Sequence, residues 1–396
     1  MFPSFWAFSE WLRSWAFTGC PWLLLGTSQV DAPLRGYAPI VGIFGLAFLI
    51  PVCSALLLDV LDPLLRRYVP SANPLPPLLK PKRRFISLLT LLFIYLLGQG
   101  LSVIHWTKPL GPPVSVSLIQ ANIPQAIKWD PHSLMVSLDS YQQLTEPHWK
   151  SRLIIWPEAA VPLLQEQAQS WLLSFDKKAK RANNTLILGI PIKKETHYYN
   201  GMIALGVDHG TYYKRRLVIF GEYLPWWIQW ARGLLTFLDI PMSSFSAGPV
   251  QPTPFRVAGF DLGTFICYEI AYPSLVRRAL PQAELLLTIN DDAWFGHSFA
   301  SGQHLQIGRF QALATGRSLL FLSNTGLTAM VTPQGVIQSE LPPFEVAVLT
   351  DHVHRFVGST PWVRWGDCPI LLFLVGLVLL CYAYLQYNEK TRDVSR

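Results

Sequence analysis

The sequence predicts a layered α/β domain attached to an α-helical transmembrane region. Between about residues 112 and 358, short apolar runs alternate with helix-like stretches, a pattern typical of layered α/β folds. Outside this block the chain contains runs of roughly 20 apolar residues, the length that spans a bilayer. The composition agrees, because 51% of the 396 residues are hydrophobic and only 14% are charged. A soluble domain usually has about 25% charged residues.

Four stretches are candidates for membrane spans. In order of clarity they are Phe85–Ile104, Pro369–Tyr387, Tyr37–Leu61 and Phe5–Leu25. The third is broken by Pro51. The fourth is the weakest because Glu10 and Arg13 interrupt it, although these two side chains can pair at i, i+3.

Basic residues predict the orientation of these spans. The net charge is +7, and lysine and arginine are concentrated beside the apolar runs: Arg66, Arg67, Lys80, Lys82, Arg83 and Arg84 before Phe85, and Lys390, Arg392 and Arg396 after the last span. By the positive-inside rule both groups are cytoplasmic, together with the extended loop Pro70–Pro81. The block between them is then periplasmic in a bacterial inner membrane. No nucleic-acid-binding motif is present, so no nucleic-acid partner is expected.

The chain is therefore expected to contain transmembrane helices in about three spans over residues 1–110, a catalytic domain over 111–364, and a C-terminal helix with a cytoplasmic tail over 365–396. The predicted strands of the middle block are Val114–Asn122, Arg152–Pro157, Thr185–Pro191, Gly201–Gly206, Val257–Tyr268, Glu284–Asn290, Leu319–Ser323 and Thr328–Thr332. The predicted helices are His132–Trp149, Gln165–Arg181, Leu275–Leu280 and Gln303–Arg317.

Three reactive side chains each follow a strand-like run in this block. They are Glu158, Lys214 and Cys267, which supply a carboxylate, an ammonium group and a thiol. A base, an oxyanion stabiliser and a nucleophile are sufficient for covalent acyl transfer. Because membrane spans bracket the block, the acyl donor is expected to be a lipid.

Each of the three residues also has an ordinary structural interpretation. Cys267 fits a buried structural cysteine, since free cysteine is among the most buried residue types. Glu158 fits a solvated turn. Lys214 belongs to a basic run, which fits a solvated face or a contact with anionic lipid. Glu269 beside Cys267, and Glu222 in a loop bounded by glycine and proline, favour a functional site.

The remaining motifs predict neither a metal site nor a disulfide framework. The five cysteines are irregularly spaced, and none forms a zinc-like cluster with histidine. Cys20, Cys53 and Cys381 lie in apolar segments, where cysteine is usually a small hydrophobic residue. No serine-hydrolase elbow, zinc-protease or nucleotide-binding motif is present. No cofactor is expected.

The three reactive residues and their flanking stretches resemble the apolipoprotein N-acyltransferase family, the membrane branch of the nitrilase, or carbon–nitrogen hydrolase, superfamily. The stretches that carry the resemblance are Glu10–Arg13, Thr18–Gly19 with Pro21–Trp22, Gln120–Gln125 with Lys128–Trp129, Phe220–Pro225, Cys267–Glu269, Asn290–Gly296 and Ser323–Gly326. The resemblance covers nearly the whole chain.

The resemblance implies a fold and a set of site residues. The fold is an αββα sandwich facing the periplasm. Cys267 is implied as the nucleophile, Glu158 as the general base and Lys214 as the cation that stabilises the oxyanion. The other implied positions are Glu222, Tyr268 and Glu269 as support for the triad and for proton transfer to the leaving group, and Trp129 and Asn200, with Tyr268, near the substrate.

The implied reaction transfers an acyl chain from a phospholipid, typically phosphatidylethanolamine, to the α-amine of the diacylglyceryl-cysteine of an apolipoprotein. A thioester on Cys267 is the implied intermediate, and a monomer in the bacterial inner membrane is expected. Two alternatives remain open. One is a membrane-tethered amidase in which water is the acceptor. The other is an inactive homologue, because the family usually has further transmembrane helices before the segment matching Glu10–Arg13, and the chain is expected to be short there.

Overall fold

A computed structural model describes residues 1–68, 80–225, 244–249 and 255–394 of the chain. Most of the predicted loop Pro70–Pro81 lies outside these residues. The chain divides into two compact units. One consists of Met1–Trp106 and Thr360–Arg396, and the other of Thr107–Ser359.

The three longest of the described helices belong to the first unit. In the part of the chain that the structure describes the helices are α1 Phe2–Arg13, α2 Ala38–Tyr68, α3 Pro81–Ser102, α4 Gln125–Lys128, α5 Leu134–Thr145, α6 Gln169–Ala182, α7 Pro273–Arg278, α8 Ala300–Thr315, α9 Pro361–Trp365 and α10 Cys368–Val394. Among the described residues, three regions are long and apolar enough to cross a membrane: Pro33–Arg66, Pro81–Ser102 and Cys368–Tyr387. They correspond to the three clearest spans of the sequence.

The predicted span Phe5–Leu25 is wrong. Helix α1 has only 12 residues and ends at Arg13. The Arg13 guanidinium donates to the Trp22 carbonyl at 2.7 Å, and the Leu25 N–H donates to the Glu10 carboxylate at 3.0 Å. The two charged side chains pair as expected, 3.9 Å apart. They also bond the backbone of the returning segment, so the chain folds back where the apolar run suggested a continuous helix.

Two six-stranded sheets form the second unit. The strands are β1 Thr107–Gln120, β2 Leu153–Ile155, β3 Thr185–Lys194, β4 His197–Gly206, β5 Gly210–Tyr213, β6 Phe255–Val257, β7 Phe260–Ile266, β8 Leu285–Asn290, β9 Leu319–Ser323, β10 Thr328–Val331, β11 Ile337–Leu341 and β12 Ala347–Gly358. Sheet one has the order β12-β1-β2-β3-β4-β5, and sheet two has the order β11-β10-β9-β8-β7-β6. The central strands β1-β2-β3 and β7-β8-β9 are parallel.

Alternation along the central strands produces a four-layer sandwich. Leu153 and Ile155 of β2 belong to the core shared by both sheets, whereas Ile154 and Trp156 belong to a second core that includes α5 and α6. Successive residues of a strand point to opposite faces, so one short strand serves both cores. Helix α8 packs on sheet two through β9 and β10. The αββα architecture implied by the resemblance is therefore confirmed.

The structure adds strands that the sequence pattern did not reveal. β12 pairs antiparallel with β1 from Thr107↔Gly358 to Gln120↔Ala347, and β11 pairs with β10. Both new strands are only partly buried, so they lack the continuous apolar run that marks the central strands. The predicted strand Val257–Tyr268 is instead the hairpin β6–β7, followed by a 3-10 helix that begins at Cys267.

Replacing Phe175 with alanine is expected to lower the free energy of unfolding by about 3–5 kcal/mol, because it opens a cavity in the hydrophobic core beneath α6. The Phe175 side chain is 1% exposed and meets the Trp156 ring edge-on, with 5.3 Å between centroids. Leu173 on the same helix is 50% exposed, so Leu173→Ala should change the free energy by about 0.5 kcal/mol or less. Urea denaturation of the detergent-solubilised variants gives both values. Equal losses would contradict the assigned face of α6.

Candidate active site

The three predicted catalytic residues follow strands of both sheets. Glu158 lies in the turn after β2 and Lys214 directly follows β5, both in sheet one. Cys267 directly follows β7 in sheet two. The carboxyl ends of parallel strands meet at one edge of a sheet, where side chains can converge on a shared site.

A buried ammonium group joins two of the carboxylates. The Lys214 Nζ atom lies 3.1 Å from Glu158 Oε1 and 2.8 Å from Glu222 Oε1. The Asn200 amide donates to the same two oxygens, at 2.7 Å and 2.8 Å. All four residues are strongly shielded from solvent, and Lys214 is 1% exposed. The sequence predicted each of these residues at the site, and the structure brings them into one hydrogen-bonded group.

The turn that carries Glu158 rests on the backbone of β3. The Gly189 N–H donates to the Pro157 carbonyl at 3.2 Å. A Cβ atom at position 189 would lie 2.5 Å from that oxygen and 2.8 Å from the Glu158 Cα. On the other side, the Asp291 N–H donates to Glu158 Oε2 at 3.0 Å. The absence of a side chain at position 189 is therefore what allows this turn to lie against β3.

Glu222 is fixed by a loop of its own. Its second carboxylate oxygen accepts the Val218 N–H at 2.8 Å. Its main-chain carbonyl accepts the Phe245 N–H at 3.0 Å, and the Gly248 N–H donates to the Lys214 carbonyl at 2.7 Å. The described segment 244–249 thus runs along both charged residues and holds their backbones.

The thiol sits on a strained turn. Cys267 has φ of +53°, a conformation that is uncommon for residues other than glycine and clusters at functional sites. Its carbonyl lies 3.2 Å from His304 Nε2, and His304 Nδ1 lies 2.9 Å from Asp292 Oδ1. The imidazole and the Asp292 side chain are fully buried. The turn is therefore held from behind by a polar pair on α8 and the segment after β8.

Glu269 connects the thiol turn to the segment after β5. One carboxylate oxygen accepts the N–H groups of Arg215 and Arg216, at 2.7 Å and 3.1 Å. The other accepts the Tyr212 hydroxyl at 2.8 Å and the Ile266 N–H at 2.9 Å. Burial raises the pKa of this carboxyl above its ordinary value, and these donors oppose the rise. The four bonds link the two sheets beside Lys214.

Local charges shift the pKa values of the thiol and the ammonium group. Burial, followed by the charge of Glu158, raises the pKa of Cys267 well above that of an ordinary thiol, although Lys214 opposes this. Burial alone would lower the pKa of Lys214, but the charges of Glu158 and Glu222 outweigh it and raise the pKa well above its usual range. Both shifts favour the protonated forms, a neutral thiol at Cys267 and a charged ammonium group at Lys214.

Two further predicted residues lie at accessible positions. Trp129 follows α4 and is exposed. Tyr268 is half-buried, and its ring meets that of Tyr272 edge-on, 5.2 Å between centroids. Large aromatic surfaces at accessible positions can contact a substrate.

Several polar residues of the site were not predicted. Lys128 Nζ lies 2.5 Å from Asp291 Oδ2 and 2.9 Å from the Glu158 carbonyl oxygen. His304 and Asp292 lie behind Cys267. Lys128, Asp291 and Asp292 fall in stretches that carry the family resemblance, but the resemblance implied no role for these three residues. His304 had no local signal, because its partners are 12 and 37 positions away.

Within residues 1–68, 80–225, 244–249 and 255–394 there is no cluster of side chains that could hold a metal ion. A cluster here means three or more histidine, cysteine, aspartate or glutamate residues. The chemistry available from the assembled side chains is proton transfer, nucleophilic attack by sulfur and stabilisation of an oxyanion.

Comparisons with known proteins identify the family to which the chain belongs. The carbon-nitrogen hydrolase family model matches residues 115–360, and the model of the apolipoprotein N-acyltransferase N-terminal domain matches residues 1–56. An apolipoprotein N-acyltransferase of Coxiella burnetii is 38% identical, over 96% of this chain and 76% of its own length. That of Methylococcus capsulatus is 37% identical, over 99% of this chain and 75% of its own length. The chain belongs to the apolipoprotein N-acyltransferase family.

Membership of the apolipoprotein N-acyltransferase family makes the chain an enzyme of the acyltransferase class within the carbon–nitrogen hydrolase superfamily. Its bacterial relatives and its apolar helices indicate a bacterial membrane protein. A solved structure, an amidase from Nesterenkonia sp., is 17% identical with a TM-score of 0.46, covering 66% of this chain and 96% of that chain.

Gly189→Ala is expected to slow acylation of Cys267 by roughly 100-fold, because the new Cβ must displace the turn that carries Glu158, and small misplacements cost about that much. The reaction with an activated ester, followed by intact mass, measures this rate. Gly302→Ala is the matched control, since nothing lies within 4 Å of its Cβ. It should react like the parent protein. A normal rate in Gly189→Ala would mean that the turn tolerates the shift.

The pH dependence of Cys267 alkylation tests the charges around the thiol. The midpoint for reaction with iodoacetamide should lie above that of an ordinary cysteine, because burial and Glu158 raise the pKa. Glu158→Gln removes a charge that raises the pKa, so the midpoint should fall. Lys214→Met removes the charge that lowers it, so the midpoint should rise. Peptide-resolved mass spectrometry across neutral and alkaline pH measures both. Shifts of the same sign would refute the charge assignment.

Proposed function

We propose that this protein transfers an acyl chain from a phospholipid to the α-amine of the diacylglyceryl-cysteine of an apolipoprotein, through a thioester on Cys267. The observation that carries the proposal is the buried ammonium group of Lys214 between Glu158 and Glu222, together with a thiol on a strained turn whose pKa is shifted by burial and by the charges of Glu158 and Lys214. The named relatives match nearly the whole chain and are apolipoprotein N-acyltransferases, which supports the lipid donor and the lipoprotein acceptor.

In the first half-reaction, Glu158 takes the thiol proton and Cys267 Sγ attacks the carbonyl carbon of the phospholipid ester. The negative charge that develops on the carbonyl oxygen is stabilised by the Lys214 ammonium group. When the tetrahedral intermediate collapses, the C–O bond breaks. The leaving alkoxide takes the proton from Glu158 and departs as a lysophospholipid, and the acyl chain remains as a thioester.

In the second half-reaction, the neutral α-amine of the acceptor attacks the thioester carbonyl. Glu158 takes a proton from the nitrogen, the C–S bond breaks, and the proton returns to the thiolate. A thioester keeps the reactivity of the acyl group, whereas the amide product is stable, so transfer runs towards the amide. This order of events predicts ping-pong kinetics.

The other predicted site residues have supporting roles in this proposal. Glu222 keeps Lys214 charged, because its carboxylate accepts a hydrogen bond from the ammonium group. Asn200 orients Glu158, because its amide donates to the carboxylates of both Glu158 and Glu222. Glu269 holds the backbone beside Lys214 and the thiol turn, since all four of its bonds go to those segments or to Tyr212. Trp129 and Tyr268 are the accessible aromatic residues proposed to contact substrate.

We also propose the location that the basic residues predict. The protein is a multi-pass protein of the bacterial inner membrane, and its catalytic domain faces the periplasm. This domain was predicted at residues 111–364 and corresponds to the unit Thr107–Ser359. Phosphatidylethanolamine is the proposed donor. The protein is proposed to act as a monomer, because one chain supplies the base, the cation and the nucleophile of the proposed reaction.

Incubation with phosphatidylethanolamine should add the mass of one acyl chain to the purified protein. The gain should be removed by hydroxylamine, which cleaves thioesters, and it should be absent in Cys267→Ala, which lacks the nucleophile. Cys381→Ala is the matched control, because this cysteine lies in α10 and should leave acylation unchanged. Intact-mass spectrometry measures all three.

The acceptor is tested by adding a diacylglyceryl-cysteine peptide to the acylated protein. Transfer gives an N-acylated peptide and regenerates free Cys267. Release of free fatty acid at the same rate with or without peptide would instead indicate a hydrolase that uses water. A folded protein that gains no mass from the phospholipid would count against the proposed donor and favour an inactive homologue.

A further inference from the structure

We propose that Lys128 and Asp291 form a positioning pair that sets the orientation of Glu158 and links it to the loop bearing Trp129. The inference rests on the proposed role of Glu158 as general base. Neither residue is among the catalytic or supporting residues described above. Both lie outside the Lys214 network, on the opposite side of Glu158.

The pair makes hydrogen bonds to both the main chain and the side chain of Glu158. Lys128 Nζ donates to the Glu158 main-chain carbonyl at 2.9 Å and to Asp291 Oδ2 at 2.5 Å. The Asp291 main-chain N–H donates to Glu158 Oε2 at 3.0 Å. One residue of the pair therefore fixes the backbone of the base, and the other fixes the carboxylate oxygen that Lys214 does not contact.

The pair also connects three segments that are distant in sequence. Lys128 ends α4, which follows β1; Glu158 follows β2 in the same sheet; and Asp291 follows β8 in the other sheet. Trp129 is the next residue after Lys128. Anchoring the Lys128 side chain at Glu158 consequently fixes the position from which Trp129 extends.

The burial of the pair favours a functional reason for its charges. The Lys128 and Asp291 side chains are 3% and 8% exposed. Burying two charges is costly, and apolar residues of similar volume often stabilise a protein equally well or better. Charged groups give directional hydrogen bonds that an apolar pair lacks. The geometry points to orientation of Glu158 as the role that requires them.

The test is a double-variant comparison of single-turnover acylation by p-nitrophenyl butyrate. Lys128→Met should slow acylation by roughly 100-fold, the usual effect of misplacing a catalytic group by about 1 Å. In the Glu158→Gln background the same substitution should have no further effect, because the group that Lys128 orients is already gone. A purely structural role would instead lower both rates by the same factor, and that result would overturn the proposal.

Two controls keep the comparison interpretable. Lys178→Met removes a lysine of a surface ion pair with Glu146 and should leave the rate unchanged. If Lys128→Met does not fold, Lys128→Gln/Asp291→Asn removes both buried charges together and carries the same comparison with Glu158→Gln. A rate equal to the parent protein in a folded Lys128 variant would also refute the pair's role.

The test of Lys128 does not depend on whether the proposed phospholipid donor is correct. The activated ester acylates Cys267 without a phospholipid donor or a lipoprotein acceptor. Failure of phosphatidylethanolamine to acylate the parent protein would count against the proposed donor, while the ester reaction would still report whether Lys128 acts through Glu158.

Discussion

The buried ammonium group of Lys214 is the constraint on which the site depends. A cation removed from water needs anionic partners, and Glu158 and Glu222 supply them at 3.1 Å and 2.8 Å. In the proposed reaction, transfer of the thiol proton to Glu158 moves a negative charge from the carboxylate to the sulfur and leaves the total charge of this group unchanged. Forming the thiolate therefore does not change the total charge of this low-dielectric site. For that reason a high pKa of the resting thiol is compatible with nucleophilic attack.

The distances in this network are set by the core between the two sheets. Glu158, Asn200 and Lys214 belong to sheet one, whereas Cys267 follows a strand of sheet two. Facing sheets pack about 10 Å apart when their inner side chains interlock. Residues such as Leu118 and Leu287 of the shared core thus set the spacing between the segments that carry Glu158 and Cys267. Glu269 and the Lys128–Asp291 pair add polar links across the same gap, so the hydrophobic spacing is reinforced where the chemistry occurs.

The sequence predicted the parts of this arrangement that have local signals. The central strands are apolar runs buried on both faces, and Glu158 and Cys267 lie where two such runs end, whereas Lys214 follows the short edge strand β5. β11 and β12 were missed because partial burial gives them a mixed pattern. Lys128 and Asp291 were missed as a pair because 163 positions separate them, and no periodicity reports such a contact. Phe5–Leu25 was misjudged because its apolar length matches a membrane span, while two charged side chains bond the backbone of the returning segment.

The strain at Cys267 is sustained by bonds that do not involve its sulfur. His304 faces the Cys267 carbonyl, and Glu269 accepts the N–H of the preceding residue, Ile266. A positive φ at a residue with a side chain is costly and persists only when its surroundings fix it. Because backbone groups do the fixing, the turn can keep its shape when the thiol is acylated, when the thioester is cleaved and when the sulfur is absent. In the proposed reaction, Cys267 can therefore pass through a covalent intermediate while the backbone that presents it remains in place.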